Sequence, residues 1–423
     1  MTDTTETRPA GADDEARLAL LRRRLSERGL SAQQTTGAAS EDRLSDGQLR
    51  MWFVHQADPS GALLNICLSY RISGPVDLAA LRGALDAVAR RHPVLRTTYA
   101  ADENGEPRPT VHAELRPGRT GHDLTDLADQ SEQARRLRLE VLAQREFTAP
   151  FDLSVDSPLR ITMIRTGADE HIMLLVAHHI AWDDGSWEVF FDDLTRAYTG
   201  VDLGEELAPQ LPPGPRDPDA DLAYWREVLA DPPEPLELPG PHGSAVPSGW
   251  RSARDSVTLG ADTARRVVEL AQETGCTPYA VLLAVFGTLI FRYTHADDFL
   301  VATPVLNRDS GAEQRVGYYG NTVAMRLRPN AAMSFRDMLA QSRDTALGAF
   351  AHQGINLDWV VRELNPDRRH GTERMTRVSF GFRGPDRFGF TPPGVRCERA
   401  ELRSHLTQLP LGVMIEFDPD PAD

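Results

Sequence analysis

The chain has 423 residues, of which 41% are hydrophobic and 26% charged, and its formal net charge is −16 at pH 7. This is a globular composition with roughly enough length for two or three domains, and the acidic balance argues against nucleic acid as a ligand. The three cysteines, at positions 67, 276 and 397, lie far apart without a CxxC pair, which argues against a disulfide framework and a cysteine-based zinc site.

The first 41 residues are expected to form a tail ahead of the folded body. Residues 1–14 are polar and predicted to be disordered, and residues 32–41 resemble a linker. Between them, residues 15–31 are amphipathic, with five leucines and with Gly29 near the end, so a helix is predicted. Two interpretations stay open for this helix: a fraying terminal segment, or a docking element for a partner chain.

The sequence contains neither a recognisable export signal nor a membrane-spanning stretch. The N-terminus is acidic and has no apolar core, unlike a signal peptide. The longest apolar stretch, residues 279–291, is too short to cross a bilayer and is predicted to be a largely buried helix. A cytoplasmic protein without membrane contact is therefore expected.

From Leu44 onward, segments with the period of a strand alternate with segments with the period of a helix. The predicted strands of this first part are 64–73, 94–100, 109–115, 159–167 and 170–182. Its predicted helices are 77–92, 131–147 and 186–200.

Two stretches rich in proline and glycine, 203–218 and 231–248, interrupt the pattern and flank a short predicted helix at 221–229. The second part then repeats the mixed pattern. Its predicted helices are 261–275, 278–292 and 334–353, and its predicted strands are 297–308, 321–329 and 374–384. The fold class is therefore predicted to be α/β, with helices and sheet in the two layers of an α+β arrangement. Two subdomains are expected, at 42–205 and 206–423, with a ligand site in the cleft between them.

The stretch LLVAHHIAWDDGSW, residues 174–187, has the most informative chemistry. An apolar strand leads into two adjacent histidines, of which one should face the core and the other a cleft. Ser186 is predicted to cap the helix that follows. A histidine at this place is a natural general base, and a nearby aspartate would orient its ring or pair with an arginine. The residues alone leave two alternatives open, a structural histidine and a metal ligand.

Seven segments, taken together and in order, point to one family. They are LSDGQLRMWF (44–53), RHPVLRTTY (91–99), HHIAWDDGS (178–186), DADLAYWREVL (219–229), YTHADDFLVATPVLNR (293–308), VGYYGNTVAMRLR (316–328) and AHQGINLDWVVREL (351–364). This series resembles the condensation domains of nonribosomal peptide synthetases, which share an HHxxxDG signature with the chloramphenicol acetyltransferase-like acyltransferases. The resemblance covers roughly residues 44–417.

The resemblance implies a fold and a reaction. Two acetyltransferase-like subdomains would form a V-shaped pseudo-dimer with a central tunnel. The reaction would be amide formation in antibiotic or other peptide biosynthesis, between a donor thioester and an acceptor amine delivered by two peptidyl carrier proteins. The substrates would arrive on the phosphopantetheine arms of those carriers, so neither a bound cofactor nor a metal is expected, and the protein is expected to be monomeric.

The resemblance also assigns roles to individual residues. His179 would be the catalytic or positioning histidine, and His178 would be structural. Asp183 would be held by an arginine of the second half, with Arg308 as the first candidate and Arg96 as the second. The residues expected to lie against the substrate are Asp184, Gly185, Ser186 and Asn321.

The chain departs from the family pattern at three places. Asp184 stands where the family usually has glycine, which resembles the HRxxxDD form of inactive X domains that recruit cytochrome oxygenases. X domains lose the second histidine, however, whereas this chain keeps His179. The HQDxPFE segment is altered at 354, 356 and 357, and the resemblance implies a last strand and helix that would be expected after Asp423. The alternative to an enzyme is therefore a non-catalytic platform for a carrier protein and an oxygenase.

Overall fold

A computed structural model describes residues 43–419 apart from 59, 128–129, 210, 213, 216, 241–251, 358–359, 362–376, 386–387, 403 and 408. The predicted N-terminal helix at 15–31 and the linker after it lie outside these residues. The described helices, in chain order, are α1 (Asp46–Ala57), α2 (Leu78–Arg91), α3 (Glu132–Thr148), α4 (Ser186–Tyr198), α5 (Pro218–Val228), α6 (Ala261–Thr274), α7 (Pro278–Thr294) and α8 (Phe335–Ala351).

The described strands form two main sheets and one hairpin. In chain order they are β1 (Asn65–Ser73), β2 (Thr97–Ala101), β3 (Pro107–Val111), β4 (Gly118–Asp123), β5 (Leu159–Arg165), β6 (Glu170–His178), β7 (Phe299–Val305), β8 (Asn321–Leu327), β9 (Val378–Arg383), β10 (Arg396–Arg399) and β11 (Leu411–Glu416). The first sheet has the order β10-β1-β6-β5-β4, the second has the order β11-β9-β7-β8, and β2 pairs with β3.

Strand β6 lies at the centre of the first sheet and is buried along nearly its whole length. Its side chains alternate between two cores, because successive residues of a strand face opposite sides. Met173 and Leu175 join the core formed with α2 and α4, whereas Ile172 and Leu174 join the core formed with α1 and α3. Helices therefore cover both faces of this strand, and its carboxyl end is held firmly where the histidines follow.

The second sheet packs its core against α7, α8 and the shorter helix α5. Within it, β7 pairs with β9 in parallel and with β8 antiparallel. Helix α7 begins with Thr277 as its cap and Pro278 in its first turn, as the sequence of a helix start favours. Trp225 from α5 is buried in this core, so the short helix packs with the second half of the chain.

Most predicted elements are confirmed within a few residues, and the differences have local causes. The strand predicted at 94–100 begins only at Thr97, because Pro93–Arg96 form a 3₁₀ turn in which proline occupies the first position. Strand β4 was not predicted, since its side chains are almost all exposed and show no apolar alternation. Strand β10 was not predicted either, and it pairs with β1 from a distant part of the chain.

The division into subdomains at residue 205 stays a prediction, since β10 carries the chain from the second half back to the first sheet. Over the residues described above, no single helix combines the length and the apolar composition needed to cross a bilayer. Helices α6 and α7 meet these two criteria jointly, but they are bent by 103° at their junction.

Candidate functional site

The candidate site lies where β6 ends and α4 begins. The strand runs to His178, a 3₁₀ turn covers His179–Ala181, and α4 starts at Ser186. The strand predicted at 170–182 is therefore shorter than expected, because the chain turns at the histidine pair. The two histidines consequently leave the sheet in different environments.

His178 is completely buried and holds the turn in place. Its Nδ1 accepts a hydrogen bond from the Ile180 amide at 3.2 Å, so its proton must be on Nε2. That proton points at Nδ1 of His55, 3.2 Å away in α1. Burial, followed by the nearby imidazoles of His55 and His179, lowers the pKa of His178 well below its usual value. This neutral ring acts as a brace between two segments of backbone.

His179 is only partly buried, and its ring is oriented by the chain just after it. Its Nδ1 lies 2.7 Å from the carbonyl oxygen of Trp182, which can only accept, so Nδ1 carries the proton. The lone pair of the neutral ring is then on Nε2. The ring of Tyr318 meets the imidazole edge-on with centroids 5.1 Å apart. Burial lowers the pKa of His179, while the Trp182 carbonyl and Asp183 oppose this shift. A neutral imidazole with a fixed tautomer is suited to accept a proton.

Asp183 is buried and paired with Arg308, which follows β7 in the second half of the chain. The Arg308 Nε donates to Oδ2 of Asp183 at 3.2 Å, and Nη2 donates to Oδ1. Backbone amides of Ser186 and Tyr319 also donate to this carboxylate, at 3.1 and 3.0 Å. The guanidinium lies over the ring of Tyr319, 4.7 Å from its centroid. Asp183 thus joins the loop at 179–186, which we call the histidine loop, to two separate segments of the second half.

Arg96 lies elsewhere. Its Nε donates to the Ala89 carbonyl at 2.8 Å, Nη1 donates to the His112 carbonyl at 2.6 Å, and Nη2 pairs with Glu206 at 2.8 Å. The structure therefore places Arg308, and not Arg96, beside Asp183. Arg96 instead joins the end of α2 to His112, just after β3, and to Glu206.

Ser186 does not cap α4. Gly185 occupies the position before the helix, and the Asp183 carboxylate accepts the bond from the Ser186 amide that a capping side chain would accept. The Ser186 hydroxyl is fully buried, 2.9 Å from Asp183 Oδ1, Arg308 Nη2 and the Gly317 carbonyl. Both polar groups of Ser186 are thus engaged within the protein. The hydroxyl thus helps to hold the ion pair, and the expected contact of Ser186 with the substrate stays a prediction.

Gly185 makes room for Arg308. A Cβ atom at this position would lie 2.6 Å from Nε of Arg308 and 3.0 Å from its Cδ, closer than side chains approach one another. The φ angle of −69° is ordinary, so glycine is required here for space rather than for backbone conformation. The glycine of the HHIAWDDGS segment is thus explained by a contact with the second half.

Asn321 and the segment at 351–357 form one connected unit. The Asn321 side-chain amide donates to the carbonyls of Gln353 and Ile355, both at 2.8 Å. His352 lies 2.7 Å from Asp221 of α5 through its Nδ1, and its carbonyl accepts from the Trp225 indole at 2.9 Å. The Asn321 amide is therefore directed at backbone carbonyls, and its expected contact with the substrate stays a prediction.

A second link between the halves escaped the sequence analysis. His92 is buried, its Nδ1 accepts from the Val316 amide at 3.3 Å, and its Nε2 lies 2.9 Å from Asp193. Because Nδ1 accepts, the proton is on Nε2 and points at the carboxylate. His92 belongs to the RHPVLRTTY segment noted in the sequence. The sequence alone, however, does not indicate that this histidine contacts an amide of the other half.

The opening segment also contributes to the site. Ser45 and Gln48 form a capping box at the start of α1, and the Gln48 side chain also donates to the Ile180 carbonyl at 3.2 Å. A Cβ atom on Gly47 would lie 2.5 Å from the ring of Tyr318, so this glycine permits the close approach of that ring. Helix α1 is therefore fitted to the histidine turn on one side and to Tyr318 on the other.

Asp184 is half-exposed, and its Oδ1 accepts from Nη1 of Arg383 at 2.9 Å. Arg383 is the last residue of β9 and also pairs with Glu416 of β11. Within the residues the structure covers, no group of three or more histidine, cysteine, aspartate or glutamate side chains is placed to hold a metal ion. The site thus consists of the neutral imidazole of His179, the buried Asp183–Arg308 ion pair and the half-exposed Asp184–Arg383 ion pair.

Comparison with known proteins supports the resemblance seen in the motifs. A family model described as Condensation domain matches residues 39–386. Among curated proteins, the chain is 34% identical over 359 residues to phosphinothricin tripeptide synthetase PhsC of Streptomyces viridochromogenes. The match covers 80% of this chain but 32% of that synthetase, so the chain spans about a third of its length.

Solved structures show the same fold. The X-domain in its complex with OxyB from teicoplanin biosynthesis is 23% identical with a TM-score of 0.72, and the match covers 90% of this chain and 87% of the other. The first condensation domain of the calcium-dependent antibiotic synthetase, with a bound substrate analogue, is 21% identical with a TM-score of 0.67 and coverages of 87% and 86%. These likenesses confirm the predicted α/β fold.

Proposed function

Because the chain belongs to the condensation domain family, we propose that it forms amide bonds in nonribosomal peptide synthesis. The donor is an acyl or peptidyl thioester on one carrier protein, and the acceptor is an amine on a second carrier. One observation supports this proposal above the others: Nδ1 of His179 is fixed to the Trp182 carbonyl, which leaves Nε2 as a base on a loop held by Asp183 and Arg308.

The proposed reaction is a direct aminolysis. The acceptor nitrogen attacks the thioester carbonyl carbon, and a tetrahedral intermediate forms. His179 Nε2 takes one proton from the attacking nitrogen, and the carbon–sulfur bond then breaks. The proton passes to the departing sulfur, so the products are an amide on the acceptor carrier and a free phosphopantetheine thiol on the donor carrier. Two tethered substrates brought to one point supply much of the rate.

The backbone amides at the start of α4 do not serve as the oxyanion site in this proposal. The Ser186 amide donates to the Asp183 carboxylate and carbonyl, and the Trp187 amide points at the Asp184 carbonyl at 3.4 Å. Both amides are thus engaged within the protein and are not available to stabilise the developing charge. His179 and the positioning of the substrates are the features that the proposal rests on.

The test is an intact-mass assay with two neighbouring carrier proteins from the same biosynthetic system. One carrier is loaded with an acyl donor and the other with an aminoacyl acceptor. We expect the acceptor carrier to gain the donor mass in the presence of the protein and the donor carrier to lose it. A result in which both masses stay unchanged, although both carriers bind, would contradict the proposal for these substrates.

The pH dependence of the transfer follows from the burial of His179. Its pKa is lowered from 6.5, so the ring stays unprotonated at neutral pH and becomes protonated only under more acidic conditions. We expect the transfer rate to be flat at neutral pH and to fall as the pH drops through this lowered pKa. Single-turnover rates with an alkoxyamine acceptor, whose nitrogen stays unprotonated in this range, provide the measurement. An acidic limb centred above pH 6.5 would contradict the assignment.

One observation favours a second candidate function. Asp184 stands beside Asp183 in the signature, as in the X domains, and it is tied to Arg383 rather than leaving open space. In this alternative the protein binds a carrier protein and recruits a tailoring cytochrome oxygenase without catalysis. An oxygenase that co-purifies with a transfer-inactive wild type would favour the platform.

A further inference from the structure

Two neighbouring carboxylates bind two different arginines of the second sheet. Asp183 pairs with Arg308, three residues beyond the end of β7, and Asp184 pairs with Arg383 at the end of β9. Strands β7 and β9 are parallel neighbours, with Val301 opposite Val378. Since the carboxyl ends of parallel strands meet at one edge of a sheet, both arginines project from the same edge toward the histidine loop.

The two pairs differ in their access to water. The side chains of Asp183 and Arg308 are 4% and 7% exposed, whereas those of Asp184 and Arg383 are 47% and 21% exposed. An exposed ion pair is weak and is screened by salt, but a buried one is screened far less. The Asp184–Arg383 pair can therefore break and re-form while the buried Asp183–Arg308 pair stays intact.

Arg383 also has a second carboxylate partner. Its Nη2 pairs with Glu416 on β11, while its Nη1 donates to Asp184 at 2.9 Å. Strand β11 lies beside β9 in the same sheet. Glu416 therefore keeps the Arg383 guanidinium at the sheet edge even when the ion pair with Asp184 is broken. Of these two contacts of Arg383, the one with Asp184 joins this sheet to the loop at 179–186.

We propose that Asp184 and Arg383 form a salt-sensitive latch that holds the histidine loop against the end of β9. Asp184 is then a positioning residue: it sets how the loop bearing His179 faces an incoming amine, without touching the reacting atoms. This inference rests on the proposed amide-forming function. It assigns the carboxylate at position 184 a contact within the protein in place of the substrate contact expected from the sequence.

The first test needs no activity. Hydrogen exchange of the loop at 179–186 is measured in the wild type and in Asp184→Asn, at low and at high salt. We expect wild-type exchange to rise with salt, and Asp184→Asn to exchange fast at both salt concentrations. Asp184→Glu, which keeps the charge, should stay near the wild type. The matched control is Glu416→Gln, which removes the other partner of Arg383 and should not speed loop exchange.

The second test is kinetic. For Asp184→Asn at low salt we expect the KM for the amine carrier to rise about two- to fivefold, the range for losing one exposed ion pair, with little change in kcat. The wild-type KM should approach the mutant value as salt is added. Asp184→Asn with wild-type exchange and wild-type KM at low salt would overturn the latch. A wild type without transfer activity would instead overturn the proposed function, and the exchange result would still decide on the latch.

Discussion

His179→Ala should abolish amide formation while leaving the fold and carrier binding unchanged. The partly exposed ring contacts Tyr318 edge-on, and its Nδ1 bonds to the carbonyl of Trp182, three residues further along, so its removal breaks no hydrogen bond to a distant element. The contribution of a positioned general base is about 10²- to 10⁴-fold in rate, so a loss of that size is expected. The measurement is the single-turnover mass assay with both carriers, together with carrier affinity and the thermal midpoint of the variant.

The control for this variant is another histidine outside the site. His122 lies on β4, which is separated from β6 by β5, and its imidazole is near Glu146. His122→Ala should therefore transfer at the wild-type rate. If His179→Ala also transfers at the wild-type rate, Nε2 of His179 is not the base. If instead the wild type binds both carriers but transfers nothing, the platform is favoured over the enzyme.

The local part of the site could be predicted from the sequence because it depends on neighbours along the chain. The apolar run before His178, the polar turn and the apolar helix after Ser186 follow from periodicity. The motif resemblance added Arg308 as the partner of Asp183, which the structure places at hydrogen-bonding distance. Spacing alone would not have found an arginine that lies 125 residues away in the chain.

The long-range part of the site could not be predicted, for physical reasons. The contacts of His178 with His55 and of His92 with the Val316 amide join distant segments, and no pattern within either segment encodes the partner. Strand β10 was missed for a similar reason. Its four residues are largely exposed, so pairing with β1, rather than burial, defines it as a strand. Edge strands of this kind depend on tertiary context more than on hydrophobic pattern.

Arg308→Ala should destabilise the protein and inactivate it together. Removing one partner of a buried ion pair costs about 3–5 kcal/mol, because the other charge stays buried. Asp183 would keep the amides of Ser186 and Tyr319, so some compensation remains. Asp183→Ala should be similarly costly, since it leaves the guanidinium to the carbonyls of Ala312 and Arg315. Urea unfolding measures the free energy of unfolding of both variants. In a double-mutant cycle, the loss of unfolding free energy in the double variant should be well below the sum of the two single losses.

Gly185→Ala tests the same pair without removing a charge. The added Cβ would lie 2.6 Å from Arg308 Nε, so the guanidinium or the loop at 179–186 must shift. We expect lower stability and lower transfer activity than in the wild type. The matched control is Gly83→Ala in α2, where nothing lies within 4 Å of the new Cβ. That change should stabilise by about 0.5–1 kcal/mol, as alanine does in a helix. If both glycine variants behave alike, the close packing of Arg308 on Gly185 does not contribute to the site. Loss in Gly185→Ala alone would show that the position of the guanidinium, as well as its charge, controls the loop that presents His179.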